Sequence, residues 1–184
     1  MAEPRDFARA LVEGDKGAFN VLVDQHSAAV FRICYRILGR IEEAEDATQE
    51  TFVQAYRAVS TFRGDGPVGA WIARIATREC WRLASSGAKR RAVHRRLDDA
   101  IAATIPSDWA DPVRTTLAAE EQEAVRRAVS ALGEPYREVV ALRFFGELSI
   151  ADIASATGRP EGTVKAQLHR GLARLRGRLR EVSA

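Results

Sequence analysis

Gly146 to Arg180, GELSIADIASATGRPEGTVKAQLHRGLARLRGRLR, reads as two helices joined by a tight turn, the second running on into a basic tail. Ser149 stands where a helix N-cap is needed, Asp152 follows three residues on in a variant of the capping box, and Ile150, Ile153 and Ala154 share the inward side. The first helix should end at Thr157, because Gly158 adopts the left-handed turn conformation without a Cβ clash and Pro160 suits the start of the next helix. From Gly162 onward Val164, Leu168, Leu172, Leu175 and Leu179 recur every three or four residues and form an apolar stripe. The other face carries Lys165, Ala166, His169 and Arg170, then Arg174, Arg176, Arg178 and Arg180. A helix of about 20 residues is about 30 Å long, so only its N-terminal part can enter a major groove. The later arginines are expected to meet phosphate or solvent. An Arg-rich amphipathic helix alone is equally a solvated surface helix. The cap, Gly158, Pro160 and the two apolar stripes, in this order, point to a helix-turn-helix.

The 184 residues carry a net charge of only +3, but the charge is segregated. Trp71 to Arg96 holds eight bases and one acid, Asp98 to Glu123 one base and seven acids, and Arg159 to Arg180 seven bases and one acid. Two basic blocks separated by an acidic segment imply two nucleic-acid contacts and a connector that avoids DNA. No apolar run approaches a membrane span and the N-terminus has no apolar signal region, so a cytoplasmic protein with no direct membrane insertion is expected. Cys34 and Cys80 lack CxxC spacing, and His26, His94 and His169 form no ligand pattern with them. Both cysteines read as small core residues, with a redox pair the unsupported alternative.

The periodicity is helical throughout, which sets the fold class as all-α: two small helical domains joined by a flexible linker, the C-terminal one a helix-turn-helix. The expected helices are about Gly17 to Leu38, broken by Gly39; Ile41 to Phe62, opening on Glu42, Glu43, Glu45 and Asp46; and Val68 to Ser85, after the loop Arg63 to Pro67. In the second, Ala44, Ala47, Phe52, Ala55, Tyr56 and Val59 make the apolar set. From Ser86 to about Thr116 periodicity is lost around Pro106 and Asp111-Pro112, and the segment reads as a linker. Helices near Leu117 to Ala131 and Pro135 to Phe145 then precede the helix-turn-helix. Each half alone would bury too little surface to be very stable.

The run AEDATQETFVQAYRAVSTFRGDGPVGAWIARIA, Ala44 to Ala76, resembles the second conserved region of bacterial RNA polymerase sigma factors of the extracytoplasmic-function (ECF) group. The run ALGEPYREVVALRFFGELSIADIASATGRPEGTVKAQLHRGLARLR, Ala131 to Arg176, resembles their fourth region. The resemblance implies a region 2 domain at 1-96, an acidic linker at 97-116 and a region 4 domain at 117-184. It implies a transcription initiation factor, not an enzyme, that binds core RNA polymerase, directs it to a two-part promoter and helps open the DNA. Neither a cofactor nor a metal is implied. The expected partners are the clamp helices of the largest polymerase subunit, the flap of the second largest, promoter DNA and an anti-sigma factor.

Glu45, Asp46, Gln49 and Glu50 form a polar stripe on one helix face. Alone this is equally a solvated helix start, and a metal site lacks further ligands nearby. By resemblance Glu45, Asp46, Gln49, Glu50 and Phe52 belong to the surface that grips the polymerase clamp. Phe62, Arg63, Gly64, Asp65 and Trp71 match the segment that captures an unpaired base of the minus-ten element, work that needs a small pocket and close backbone approach. Trp71 also heads an apolar stripe with Ile72, Ile75 and Ala76, which favours a core role for its ring. Arg74, Arg78 and Arg82 recur at four-residue spacing, suited to tracking a DNA backbone, and Lys89, Arg90 and Arg91 extend the block. Many relatives have Asn and then Asp where Arg78 and Arg82 stand, which leaves the preferred minus-ten bases open.

In the C-terminal unit the resemblance places Thr163, Lys165, Ala166, Gln167, His169 and Arg170 at the minus-thirty-five element. Relatives commonly carry Arg at the position of Gln167. Gln reads an adenine edge where Arg favours guanine or phosphate, and such a contact is worth about 1 to 3 kcal/mol of discrimination. The acidic linker, with Asp98, Asp99, Asp108 and Asp111, would by resemblance thread the polymerase channel toward the RNA exit path. Two other classes remain: an autonomous helix-turn-helix regulator, which leaves Phe62 to Trp71 without a role, and a metal-dependent nucleic-acid enzyme using Asp46 and Glu50.

Overall fold

The structure, a computed structural model, describes residues 4–94 and 116–182, with side chains for 7–85 and 121–180. The described residues form helices α1 (Pro4–Val12), α2 (Lys16–Leu38), α3 (Ile41–Ala58), α4 (Val68–His94), α5 (Thr116–Ser130), α6 (Tyr136–Phe144), α7 (Ile150–Thr157) and α8 (Glu161–Val182). A single 3-10 turn, Val59–Thr61, follows α3, and no strand occurs among the described residues, so the fold is all-α as expected.

Local chemistry sets the helix ends. Asp15 Oδ1 accepts from the Ala18 N–H at 2.7 Å and starts α2; Gly39, at φ 78°, ends it. Glu42 and Glu43 lie in the first turn of α3, at the positive end of its dipole. The buried hydroxyls of Thr51 and Thr77 are satisfied by donating to the carbonyls of Ala47 and Ala73.

Leu22, Val30, Ile33 and Cys34 of α2 pack against Ala44, Ala47 and Ala55 of α3 and Ile72, Ala76 and Cys80 of α4. Leu11 of α1 is buried as well. In the other half Val129, Val139, Val140, Leu142, Ile153 and Val164 make the core. These sets belong to one continuous buried cluster, because α4 packs against both α6 and α7.

Four differences from the sequence reading emerge. Helix α1 was not expected from the pattern. Helix α4 continues beyond Ser85 to His94, so nine residues assigned to the linker are helical. Tyr56, placed in the apolar set of α3, is half-exposed. The halves are docked on each other, a contact that the pattern did not predict. The acidic linker residues Asp98, Asp99, Asp108 and Asp111, and the linker's expected flexibility, lie outside the described residues; Lys89, Arg90 and Arg91 lie outside the described side chains.

Candidate nucleic-acid interface

The helix-turn-helix is built as its local chemistry dictates. Ser149 Oγ accepts from the Asp152 N–H at 3.1 Å, and the Asp152 carboxylate accepts from the Ser149 N–H at 3.3 Å, closing the capping box. Gly158 ends α7 at φ 67°, and its N–H reaches back to the last-turn carbonyls. Ile153 and Val164 are fully buried and lock α7 to α8. This leaves Thr163, Lys165, Ala166, His169 and Arg170 exposed on the first three turns of α8. Gln167 is half-buried, its side-chain oxygen 3.4 Å from Arg159 Nη1. Lys165 lies 3.6 Å from Glu161, an exposed pair that water and salt readily exchange. Farther along, the Arg174 guanidinium sits 4.2 Å over the Tyr136 ring, so this base is partly spent on packing α8 to α6.

The second basic element is α4 with the loop before it. Arg63, Gly64 and Asp65 are exposed, and Gly64 takes φ 72°. Phe62 turns inward, 8% exposed, with its ring centroid 5.3 Å from that of half-buried Trp71. The two aromatics therefore brace the loop against α4, leaving its backbone and the Arg63 and Asp65 side chains outward. Arg78 and Arg82 are exposed; Arg82 makes a two-oxygen contact to buried Glu79. Arg74 is half-buried and reaches across to the other half: Nε donates to Glu138 Oε1 at 3.0 Å and Nη1 to the Ala156 carbonyl at 2.9 Å. Glu138 was not singled out by sequence; an acid in the first turn of α6 carries no local sign of the two arginines it meets.

On α3, Glu45, Asp46 and Gln49 are exposed in one stripe, Glu50 accepts from Gln54 at 2.6 Å, and Phe52 is half-buried. Val53 and Tyr56 continue the outward face, at 42% and 50% exposure, and add two apolar side chains to the residues named from the sequence. The Tyr56 ring meets Phe19 edge-on at 5.1 Å. Among the described residues no group of three or more His, Cys, Asp and Glu could hold a metal ion. No helix is long and apolar enough to cross a membrane among those residues. Cys34 and Cys80 are free thiols, fully buried as core residues. The structure also brings them into hydrogen-bond contact across α2 and α4, which pulls the Cys34 thiol down and, with burial, pushes Cys80 up.

These features define an all-helical protein with two basic elements, one of them a helix-turn-helix. Residues 22–91 match the family model for Sigma-70 region 2, and residues 122–175 that for Sigma-70, region 4. The chain is 32% identical to the ECF RNA polymerase sigma factor SigW of Bacillus subtilis, over 92% of this chain and 93% of that protein. It is 33% identical to the RNA polymerase sigma-H factor of Pseudomonas aeruginosa, over 85% and 83% of the two chains. In fold it is similar to CnrH in complex with the cytosolic domain of CnrY, with TM-score 0.58, 23% identity and coverage of 96% and 97%. It is likewise similar to the sigma factor RpoE in complex with the anti-sigma factor NepR from Bartonella quintana, with TM-score 0.54, 22% identity and coverage of 88% and 96%. The chain belongs to the ECF group of RNA polymerase sigma factors, with the sigma function in transcription initiation that membership carries.

Proposed function

We propose that this sigma factor divides its work between the surfaces described above. The exposed start of α8, with Thr163, Lys165, Ala166, His169 and Arg170 beside Gln167, reads the minus-thirty-five element in the major groove. The Arg63 to Asp65 loop, braced by Phe62 and Trp71, takes an unpaired minus-ten base, and Arg74, Arg78 and Arg82 follow the neighbouring backbone. The outer face of α3, Glu45, Asp46, Gln49, Glu50 and Phe52 with Val53 and Tyr56, grips the clamp helices of the largest polymerase subunit. The C-terminal half meets the flap of the second largest subunit. The domains run 1-96 and 117-184 with the linker at 97-116. The chain has no chemistry of its own; bond formation belongs to the polymerase. An anti-sigma protein restrains it, as the NepR complex of the RpoE relative suggests.

The observation that carries this reading is the pairing, in one chain, of an outward-facing basic recognition helix with a second basic helix preceded by an exposed Gly64 loop. An autonomous regulator needs only the first. The test mixes the purified chain with core polymerase and a promoter library. Initiation that requires both proteins is expected. Failure to bind the core, with tight duplex binding by the chain alone, overturns the reading in favour of the regulator.

A further inference from the structure

We propose that Arg82, held by buried Glu79, reads a guanine in the minus-ten element, with Glu79 as the residue that positions it. The proposal rests on the function assigned above and sharpens it: within the row Arg74, Arg78 and Arg82, the last turns to a base edge and not to the backbone.

The three arginines are not equivalent. Arg74 is half-buried and directs its donors to Glu138 and the Ala156 carbonyl. Arg78 is exposed and, among the described residues, has no hydrogen bond or ion pair, so its full charge is open to a phosphate. Arg82 lies one turn farther on, with a side chain 61% exposed, and it is clamped. Its Nε donates to both Glu79 oxygens, at 3.1 and 2.9 Å, and Nη2 donates to Oε1 at 2.5 Å. Glu79 is only 6% exposed, three residues back on the same helix, where helical spacing makes the two side chains neighbours.

A guanidinium is a rigid planar fork, and its donors are aimed in fixed directions. Glu79 takes the edge formed by Nε and Nη2. The outer edge, where Nη1 and Nη2 point their N–H groups in parallel, makes no hydrogen bond among the described residues. Parallel donors of this kind match the adjacent acceptors O6 and N7 of guanine.

Charge decides between base and phosphate. The Glu79 carboxylate, with a weaker attraction from Glu50 on α3, opposes the positive charge that would draw in a phosphate. O6 and N7 belong to a neutral base and need aligned donors more than net charge. Order acts in the same direction, because a guanidinium fixed before DNA arrives loses less rotamer freedom on binding. Arg78 and Arg82, one turn apart, therefore divide the work: the unopposed charge meets phosphate, and the buttressed fork meets a base.

The test uses holoenzyme reconstituted from the full chain and core polymerase on promoters randomised across the minus-ten element, with affinity for guanine and its replacements at the selected position followed against salt. The wild type is expected to prefer guanine at one position by about five- to a hundredfold. Arg82→Ala is expected to lose that preference and keep the salt slope, whereas Arg78→Ala keeps the preference and shallows the slope by about 1. Glu79→Gln leaves Arg82 charged and unopposed. It is expected to weaken the preference and steepen the slope by up to about 1, a change that loss of a merely structural acid would not produce. Because Arg82→Ala strands a buried carboxylate, Glu79→Gln with Arg82→Ala removes the pair together and is expected to match Arg82→Ala in base preference. A wild-type holoenzyme without a guanine preference overturns the proposal, and so does a preference left intact by Arg82→Ala or a Glu79→Gln variant unchanged in both readouts. A chain that forms no holoenzyme overturns the assigned function, and the guanine contact with it.

Discussion

Arg74 and Glu138, 64 positions apart in the chain, meet at 3.0 Å and make the central ion pair between the two halves of the molecule. Arg159 neutralises the other Glu138 oxygen from the helix-turn-helix side. One carboxylate therefore serves a base from α4 and a base from the helix-turn-helix. Its removal would leave two partly buried guanidinium groups facing each other, which is why breaking such a site is costly even where the intact pair adds little.

That geometry sets a pH dependence. Burial pushes the Glu138 carboxyl up, but the hydrogen bonds and charges of Arg74 and Arg159 outweigh it and hold it below its ordinary 4.5. Arg36 likewise holds the exposed Glu147 below 4.5. The facing groups are arginines at both contacts, with Glu134 the nearby acid, its Oε2 3.4 Å from the Glu138 N–H. A depressed carboxylate contributes stability that is complete above 4.5 and lost as pH falls through the lowered value. Docking should thus hold from neutrality down to about 4.5 and fail below it, measured as scattering-derived radius against pH. An onset of opening near neutrality would assign the interface to other groups.

Ser149 closes the capping box of α7, and its loss should be felt through the whole C-terminal core because Ile153 is fully buried one turn on. Ser149→Ala should cost about 1 kcal/mol in urea denaturation, within the range of about 0.5 to 2 for N-caps, and Ser149→Thr, which keeps the hydroxyl that donates to Asp152, should recover most of it. A cost indistinguishable from zero would mean that tertiary packing alone fixes this helix start.

The helix-turn-helix was legible because its determinants are local: Ser149, Asp152, Gly158 and the apolar stripe all act within a few residues. The end of α4 was not. The helix was expected to end at Ser85, yet Ser85 Oγ donates to the Trp81 carbonyl at 2.7 Å, and the strong helix formers Ala88 to Ala92 carry the helix on. Tyr56 sits at the edge of the apolar sector of α3, where periodicity alone cannot choose inside from outside. Of the residues proposed for the minus-ten element, Phe62 and Arg63 are adjacent in sequence but face opposite ways, one bracing and one exposed. Docking of the halves had no local signature at all. Arg74, Glu138 and Arg36 are ordinary charged helix residues until the fold brings them together.

Val53 and Tyr56 offer a separable test of the polymerase surface. Both are exposed apolar side chains beside the acidic stripe, and tyrosine is a residue type enriched where binding energy concentrates. Val53→Ser with Tyr56→Ala should weaken core binding by about tenfold or more, equivalent to about 1.4 kcal/mol. The stability cost should be modest, because both side chains are exposed and Tyr56 gives up an edge-on contact with Phe19. Core affinity measured by titration of labelled sigma factor decides the matter; an unchanged affinity would move the clamp contact off this face.

Lys165 and Arg170 should separate promoter reading from polymerase binding. Both are exposed on the first turns of α8, remote in sequence from the α3 surface, and neither supports the core of its domain. Replacing both by Ala removes two positive charges from the N-terminal part of the helix that is proposed to enter the groove. Affinity of the holoenzyme for the upstream element should fall, and the slope of log affinity against log salt should shallow by about 1 for each phosphate that the helix no longer neutralises. Gln167→Ala should behave differently. A residue that reads a base edge relaxes discrimination among upstream sequences by about 1 to 3 kcal/mol while leaving the salt slope unchanged. If Lys165→Ala with Arg170→Ala abolishes core binding, the α8 face is a polymerase surface. If Gln167→Ala changes only the salt slope, Gln167 positions the helix and the base-reading role belongs to a neighbour such as His169.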